Sequence, residues 1–141
     1  MTQWRTPSAG DRDGAGLALD LDSVGRATWR AELRSVLGTT ADPATLEDVM
    51  LVTGELVANA LEHGVSPASL EVLIDDTGGV LVSVLDHGPV LQLTPVPIAL
   101  HAARGRGLVI VASLTSEWGV SATDHGKAVW GRVAPQDEAR R

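Results

Sequence analysis

Glu55, Asn59 and His63 recur at four-residue intervals in the segment Glu55-Leu56-Val57-Ala58-Asn59-Ala60-Leu61-Glu62-His63. On a helix this spacing sets a carboxylate, an amide and an imidazole side by side in one stripe next to the apolar face. A solvated helix face needs the same spacing, so the stripe gains weight only from its companions. Further on the chain reads Val84-Leu85-Asp86-His87-Gly88-Pro89. An acid leaving a buried strand beside a glycine can turn its carboxylate into a pocket, where it accepts a hydrogen bond from an exocyclic amine such as that of adenine. An Asp-Gly turn closing the strand is the plainer alternative. Gly105-Arg106-Gly107 precedes the apolar run that starts at Leu108. If that run is a helix, its free amides and dipole face anything anionic, and Arg104 and Arg106 add positive charge. A simple turn into a helix has the same composition. Gly126-Lys127 adds a weaker signal of the same kind. His63, His87, His101 and His125 show no i, i+4 pair and no HExxH pattern, so a metal-dependent enzyme is not indicated and each histidine is read singly. His63 either contacts a phosphate or caps its helix, where a cationic imidazole is favourable.

The elements that must carry these residues follow from periodicity. Residues 1–15 lack a hydrophobic period and read as a disordered leader, and the tail over 135–141 is polar and loose. Between them, residues 16–134 make one domain. Leu17, Leu19 and Leu21 alternate with polar or small residues, which suits an edge strand. Ser23 can cap an amphipathic helix running from Val24 to Leu37, and Gly38 stops it. Asp42-Pro43 opens a second helix that reaches Gly64, because Asp caps free amides and Pro at the first position has no amide to waste. Leu70–Ile74 and Val80–Leu85 are β-rich runs around a glycine-containing turn, a hairpin. Residues 87–104 hold Gly88, Pro89, Pro95 and Pro97 and form a loop with one short helix near Ile98–Ala103. Leu108–Leu114 is a helix. Ser116–Thr123 and Lys127–Val133 form a second hairpin. This order fits a two-layer α/β sandwich, a mixed sheet covered on one face by about three helices.

Composition limits the alternatives. The 141 residues carry 11 basic and 18 acidic side chains, a net charge of −7, and no cysteine. That excludes disulfides, thiolate metal sites and a cysteine nucleophile, and argues against non-specific binding to nucleic acid or anionic membrane. No apolar run approaches the roughly 20 residues that span a bilayer, and a cytoplasmic protein is expected. With 4 Trp and neither Phe nor Tyr, aliphatic side chains must fill the core. Trp29, Trp118 and Trp130 sit in apolar patterns and read as core or interface anchors.

Taken in order, these segments resemble the GHKL, or Bergerat-fold, ATP-binding domains shared by DNA gyrase, sensor histidine kinases and mismatch-repair ATPases. The stand-alone anti-sigma factor serine/threonine kinases are the nearest branch. The resemblance runs from about Leu17 to Val133. ELVANALEHG is similar to the N box, VLDHGP to the first glycine box, GRGLVIVASLTSEWGV to the second with its following strand, and GKAVWGRV to the closing strand. The resemblance implies ATP and Mg²⁺ as cofactors. It implies Asn59 as a Mg²⁺ ligand, Glu55 as the general base or positioner of the attacking hydroxyl, and Asp86 as the reader of adenine. It also implies a nucleotide site completed by His63, Gly88, Arg104, Gly105, Arg106, Gly107, Leu108 and Lys127, with residues 88–104 as a mobile lid. The chain departs from the family pattern at Val90, where a second glycine is common, and at Ala128, where a small hydroxyl residue often reaches the adenine site through water.

The partners implied are a STAS-type anti-anti-sigma protein as phosphoryl acceptor, a sigma factor as the inhibited protein, and a second copy in a homodimer. A phosphoacceptor helix pair and a transducer domain have no counterpart in these residues, so the substrate is expected in trans. A non-catalytic partner-binding module of the same fold, with weak or no ATP binding, is the alternative.

Overall fold

The computed structural model describes residues 16–24, 28–89 and 106–136. Its elements are β1 (Gly16–Asp20), α1 (Leu21–Val24), α2 (Thr28–Leu37), α3 (Pro43–His63), β2 (Ser69–Ile74), β3 (Val80–Asp86), α4 (Arg106–Leu114), β4 (Glu117–Ala122) and β5 (Lys127–Val133). The expected leader, the short helix near Ile98–Ala103, most of the lid and the end of the tail lie outside the described residues.

The long helix α3 forms where its signals stand. Asp42 caps it, accepting from the Thr45 backbone N–H at 2.9 Å and the Thr45 hydroxyl at 2.6 Å, and Pro43 opens the first turn. The Thr45 hydroxyl, with backbone N–H groups, holds the Asp42 carboxyl below its ordinary range. At the other end Gly64 donates its N–H to the Ala60 carbonyl at 2.8 Å. Of the helix expected from Val24 to Leu37, Thr28–Leu37 forms as α2 and Val24 ends the helical turn α1, while residues 25–27 lie outside the described residues. Ser23 lies inside α1, and the capping oxygen belongs to Asp20, whose Oδ1 accepts from Asp22 N–H at 3.0 Å.

The five strands form one sheet in the order β1-β2-β3-β5-β4, and every neighbouring pair is antiparallel. The two-layer sandwich is as expected, but the sheet is not mixed. The segment from β3 through α4 returns to β4, which runs parallel to β3, and the final hairpin then places β5 between them. Two strands that would have paired in parallel are thereby separated.

Register assigns the faces. Leu17, Val72, Val82, Gly131 and Trp118 share one row across the sheet, and Leu19, Leu70, Val84, Val129 and Val120 share another. This face packs against the helices, where Trp29, Leu33, Leu37, Val49, Val52 and Leu56 are buried. Gly131 lets α4 and α3 come close: a Cβ there would stand 2.9 Å from the Thr115 methyl and 3.6 Å from Val111 and Val52. Trp130 is buried on the opposite face, with its indole N–H on the Ser121 hydroxyl at 3.1 Å.

Candidate nucleotide site

Asp86 ends β3 and Lys127 begins β5, and the ladder pairs them directly. Both belong to the helix-facing rows, so strand alternation carries them under the C-terminal end of α3. Each is only 3% exposed. Asp86 Oδ1 accepts from Gly88 N–H at 2.7 Å, Lys127 Nζ at 3.1 Å and Val65 N–H at 3.3 Å. Its second oxygen, Oδ2, is buried with no hydrogen-bond partner among the described residues. An unpaired buried acceptor costs about 1–3 kcal/mol, so this oxygen is poised for a donor that the described residues do not provide.

Three glycines make the arrangement possible. A Cβ on Gly64 would stand 2.8 Å from Asp86 Oδ2, and one on Gly88 would come 2.8 Å from Asp86 Oδ1 and 3.0 Å from Lys127 Nζ. A Cβ on Gly126 would collide with the Asp86 carbonyl oxygen and sit 2.6 Å from His87 Cα. Around this knot His87 N–H donates to the Val65 carbonyl at 2.9 Å. The His87 ring nitrogen Nδ1 lies 2.9 Å from the Pro67 carbonyl, which makes it the protonated one, and the ring stacks on His125 at 6.1 Å.

The stripe on α3 is built differently. Glu55 and Asn59 are half-buried and make no hydrogen bond or ion pair among the described residues, and His63 is exposed, 3.6 Å from Glu62. Helix α4 packs against α3, starts at Arg106 and buries Leu108. Arg104 and Gly105 lie outside the described residues, as do the side chains of the first α4 positions, Arg106 and Gly107. A separate cleft of about 200 Å³ lies between α2 and another stripe of α3, lined by Trp29, Arg30, Gly54 and Leu61 among others, and none of the expected site residues lines it. Among the described residues no group of three histidine, cysteine or acidic side chains is placed to hold a metal.

One position needs correcting. The side chain that reaches Asp86 is Lys127; Ala128, one residue later, pairs with Leu85 and points to the opposite face of the sheet. A hydroxyl at 128 would therefore not have reached the site. Gly64, Val65 and Gly126 seat the carboxylate; from sequence, Gly64 was read only as the end of the helix and of the N box, Val65 not at all, and Gly126 only within the weak Gly126-Lys127 signal. A signal for the first two was present, since the chain must turn away immediately after His63 for the stripe to end at a pocket.

Residues 11–132 match the histidine kinase-like ATPase domain, and the chain belongs to that family. No curated protein matches it. Among solved structures it is similar to the RsbU and RsbW domains of Rv1364c from Mycobacterium tuberculosis, with a TM-score of 0.61 and 23% identity over 85% of this chain and 32% of that one. It is also similar to the blue-light activated histidine kinase of Erythrobacter litoralis, with a TM-score of 0.52 and 20% identity over 72% of this chain and 34% of that one. A separate structure of that kinase's histidine kinase domain gives a TM-score of 0.52 and 18% identity over 86% and 70%. The chain thus spans about a third of the first two proteins, and the likeness is one of fold.

An ATPase domain implies ATP, and the residues at the end of β3 fit its base. The orphan Oδ2 of Asp86 matches the need of an exocyclic amine for an acceptor; Gly64 leaves open the space beside it, and Gly88 the space beside Oδ1 and the Lys127 ammonium. Among the described residues no helix is long and apolar enough to cross a membrane.

Proposed function

We propose that this chain is an ATP-dependent serine/threonine kinase of the anti-sigma type, acting in trans on a STAS-type anti-anti-sigma protein and sequestering a sigma factor in the cytoplasm. The observation that carries the reading is the buried Asp86 carboxylate with one oxygen unpaired among the described residues, set under the helix that bears Glu55 and Asn59, in a chain of the histidine kinase-like ATPase family. Bound ATP with Mg²⁺ supplies the phosphoryl group. Asp86 Oδ2 accepts the base amine and fixes how deep the base sits. The Asn59 amide oxygen, without a partner among the described residues, is a hard ligand suited to Mg²⁺. Glu55, one turn earlier, accepts the proton of the incoming serine or threonine hydroxyl or aligns that hydroxyl. The family resemblance assigns His63, Gly105 and Gly107 to the phosphates. The acidic surface suits a basic sigma factor.

The test is phosphoryl transfer from ATP–Mg²⁺ to a STAS-type partner, followed by mass spectrometry. Transfer by the wild type, with a loss of about 10²–10⁴-fold in Glu55→Gln and retained nucleotide binding, is the expected result. Stable partner binding with no transfer at saturating ATP–Mg²⁺ would replace the kinase with a regulatory binding module.

A further inference from the structure

Lys127 has no role in the mechanism above, yet it places a full charge inside the site. Its side chain is 4% exposed, and its hydrogen bond to Asp86 Oδ1 uses one of three ammonium donors among the described residues. Asp86 Oδ1 already receives two backbone N–H groups, so the carboxylate does not depend on a lysine for seating. Taking an ammonium out of water is expensive, and one shared oxygen returns only part of that cost. The unused donors lie next to Gly88, whose missing side chain keeps the space beside Nζ clear. A spare donor therefore stands beside the spare acceptor Oδ2. The ligand edge complementary to such a pair presents a donor next to an acceptor, and adenine presents its exocyclic amine next to the unprotonated ring nitrogen N1.

We infer that Lys127 is a specificity-determining residue of the nucleotide site, donating directly to N1 of the base while Asp86 Oδ2 accepts from the amine. The inference rests on the ATP-binding reading above and adds a second contact to it. Guanine offers a carbonyl and a ring N–H in the reverse order, so the Asp86–Lys127 pair favours ATP over GTP.

Calorimetric titration of the full chain with ATP, GTP and 1-deaza-ATP, in which N1 is replaced by C–H, tests this without any substitution. A bond from a charged donor predicts that 1-deaza-ATP binds about 10- to 100-fold more weakly than ATP, with GTP also weaker. In Lys127→Met the gap between ATP and 1-deaza-ATP should shrink to within about twofold, because the donor is gone. Equal wild-type affinity for ATP and 1-deaza-ATP, a gap that survives in Lys127→Met, or tighter binding of GTP than of ATP would overturn the assignment and leave the ATP reading intact. Failure of the wild type to bind any of the three would remove both. If Lys127→Met does not fold, the wild-type comparison alone decides.

Discussion

At the Asp86 end of the candidate site the carboxylate is held by the fold through one oxygen, whereas on α3 the candidate side chains Glu55 and Asn59 have no partner among the described residues. Asp86 and Lys127 are buried, paired in register and cross-linked to the turn after α3; Glu55 and Asn59 stand half-exposed with no partner among the described residues. The contrast separates two ways of making a site. One end is a structural junction that a ligand completes, so damage there should spread into stability. The other is chemistry mounted on a helix that the core already secures, so damage there should stay local.

The largest expected effect is at the junction. Asp86→Ala leaves the Lys127 ammonium buried without its counter-charge and should cost about 3–5 kcal/mol, read as a lower urea midpoint at unchanged slope, together with loss of nucleotide binding. A loss below about 1 kcal/mol would mean that water or a lysine rotation relieves the charge, and the contrast would collapse. A carboxylate held by the fold but far from the site calibrates the scale. Asp42→Ala removes the cap of α3 and should cost about 1 kcal/mol with nucleotide affinity unchanged. Because the folded-state Asp42 carboxyl is held low, its contribution is complete above the unfolded value near pH 4 and is lost as pH falls through the folded one. Asp75 behaves alike: burial pushes its carboxyl up, but Thr77, Arg132 and two backbone N–H groups together outweigh that and leave it lowered. Acid unfolding below about pH 4 should therefore be shallower in Asp42→Asn and Asp75→Asn than in the wild type. The smallest effect belongs to the α3 stripe. Glu55→Gln and Asn59→Ala should each change stability by no more than about 0.5 kcal/mol in thermal or urea unfolding, whatever they do to turnover. A larger loss would show that the stripe is tied into the structure after all.

Much of this was readable where local physics acts alone. Asp42-Pro43 and Gly64 bound α3, and the alternation in Leu70–Ile74 and Val80–Leu85 with Gly78 at φ 89° gave the first hairpin. Glu55, Asn59 and Asp86 were legible as candidates because a helix period and a strand end place them without reference to the rest of the chain. Ser23 was misread as a helix cap, because the helical turn begins two residues earlier, where Asp20 supplies the capping oxygen. The antiparallel sheet could not be read from element order, since the position of β5 between β3 and β4 is decided by which hairpin partner completes the buried rows. Lys127 entered only as a weak glycine-lysine signal and through the family resemblance, although its parity with Val129 and Val133 was enough to put it on the core face with Asp86.

The partners of the buried pair are 41 residues apart in sequence and meet only across the β3–β5 ladder. During synthesis the chain can build α3 and the β2–β3 hairpin from neighbouring residues, but Asp86 must wait for the last strand before its counter-charge arrives. Between those moments a carboxylate meant for the interior stays at the wet margin of an incomplete sheet, and insertion of β5 closes the ladder and neutralises the acid in one event. Nucleotide binding should therefore be among the last properties the emerging chain acquires and the first that a nick in β5 removes, which makes it a sensitive readout of whether this fold has been finished.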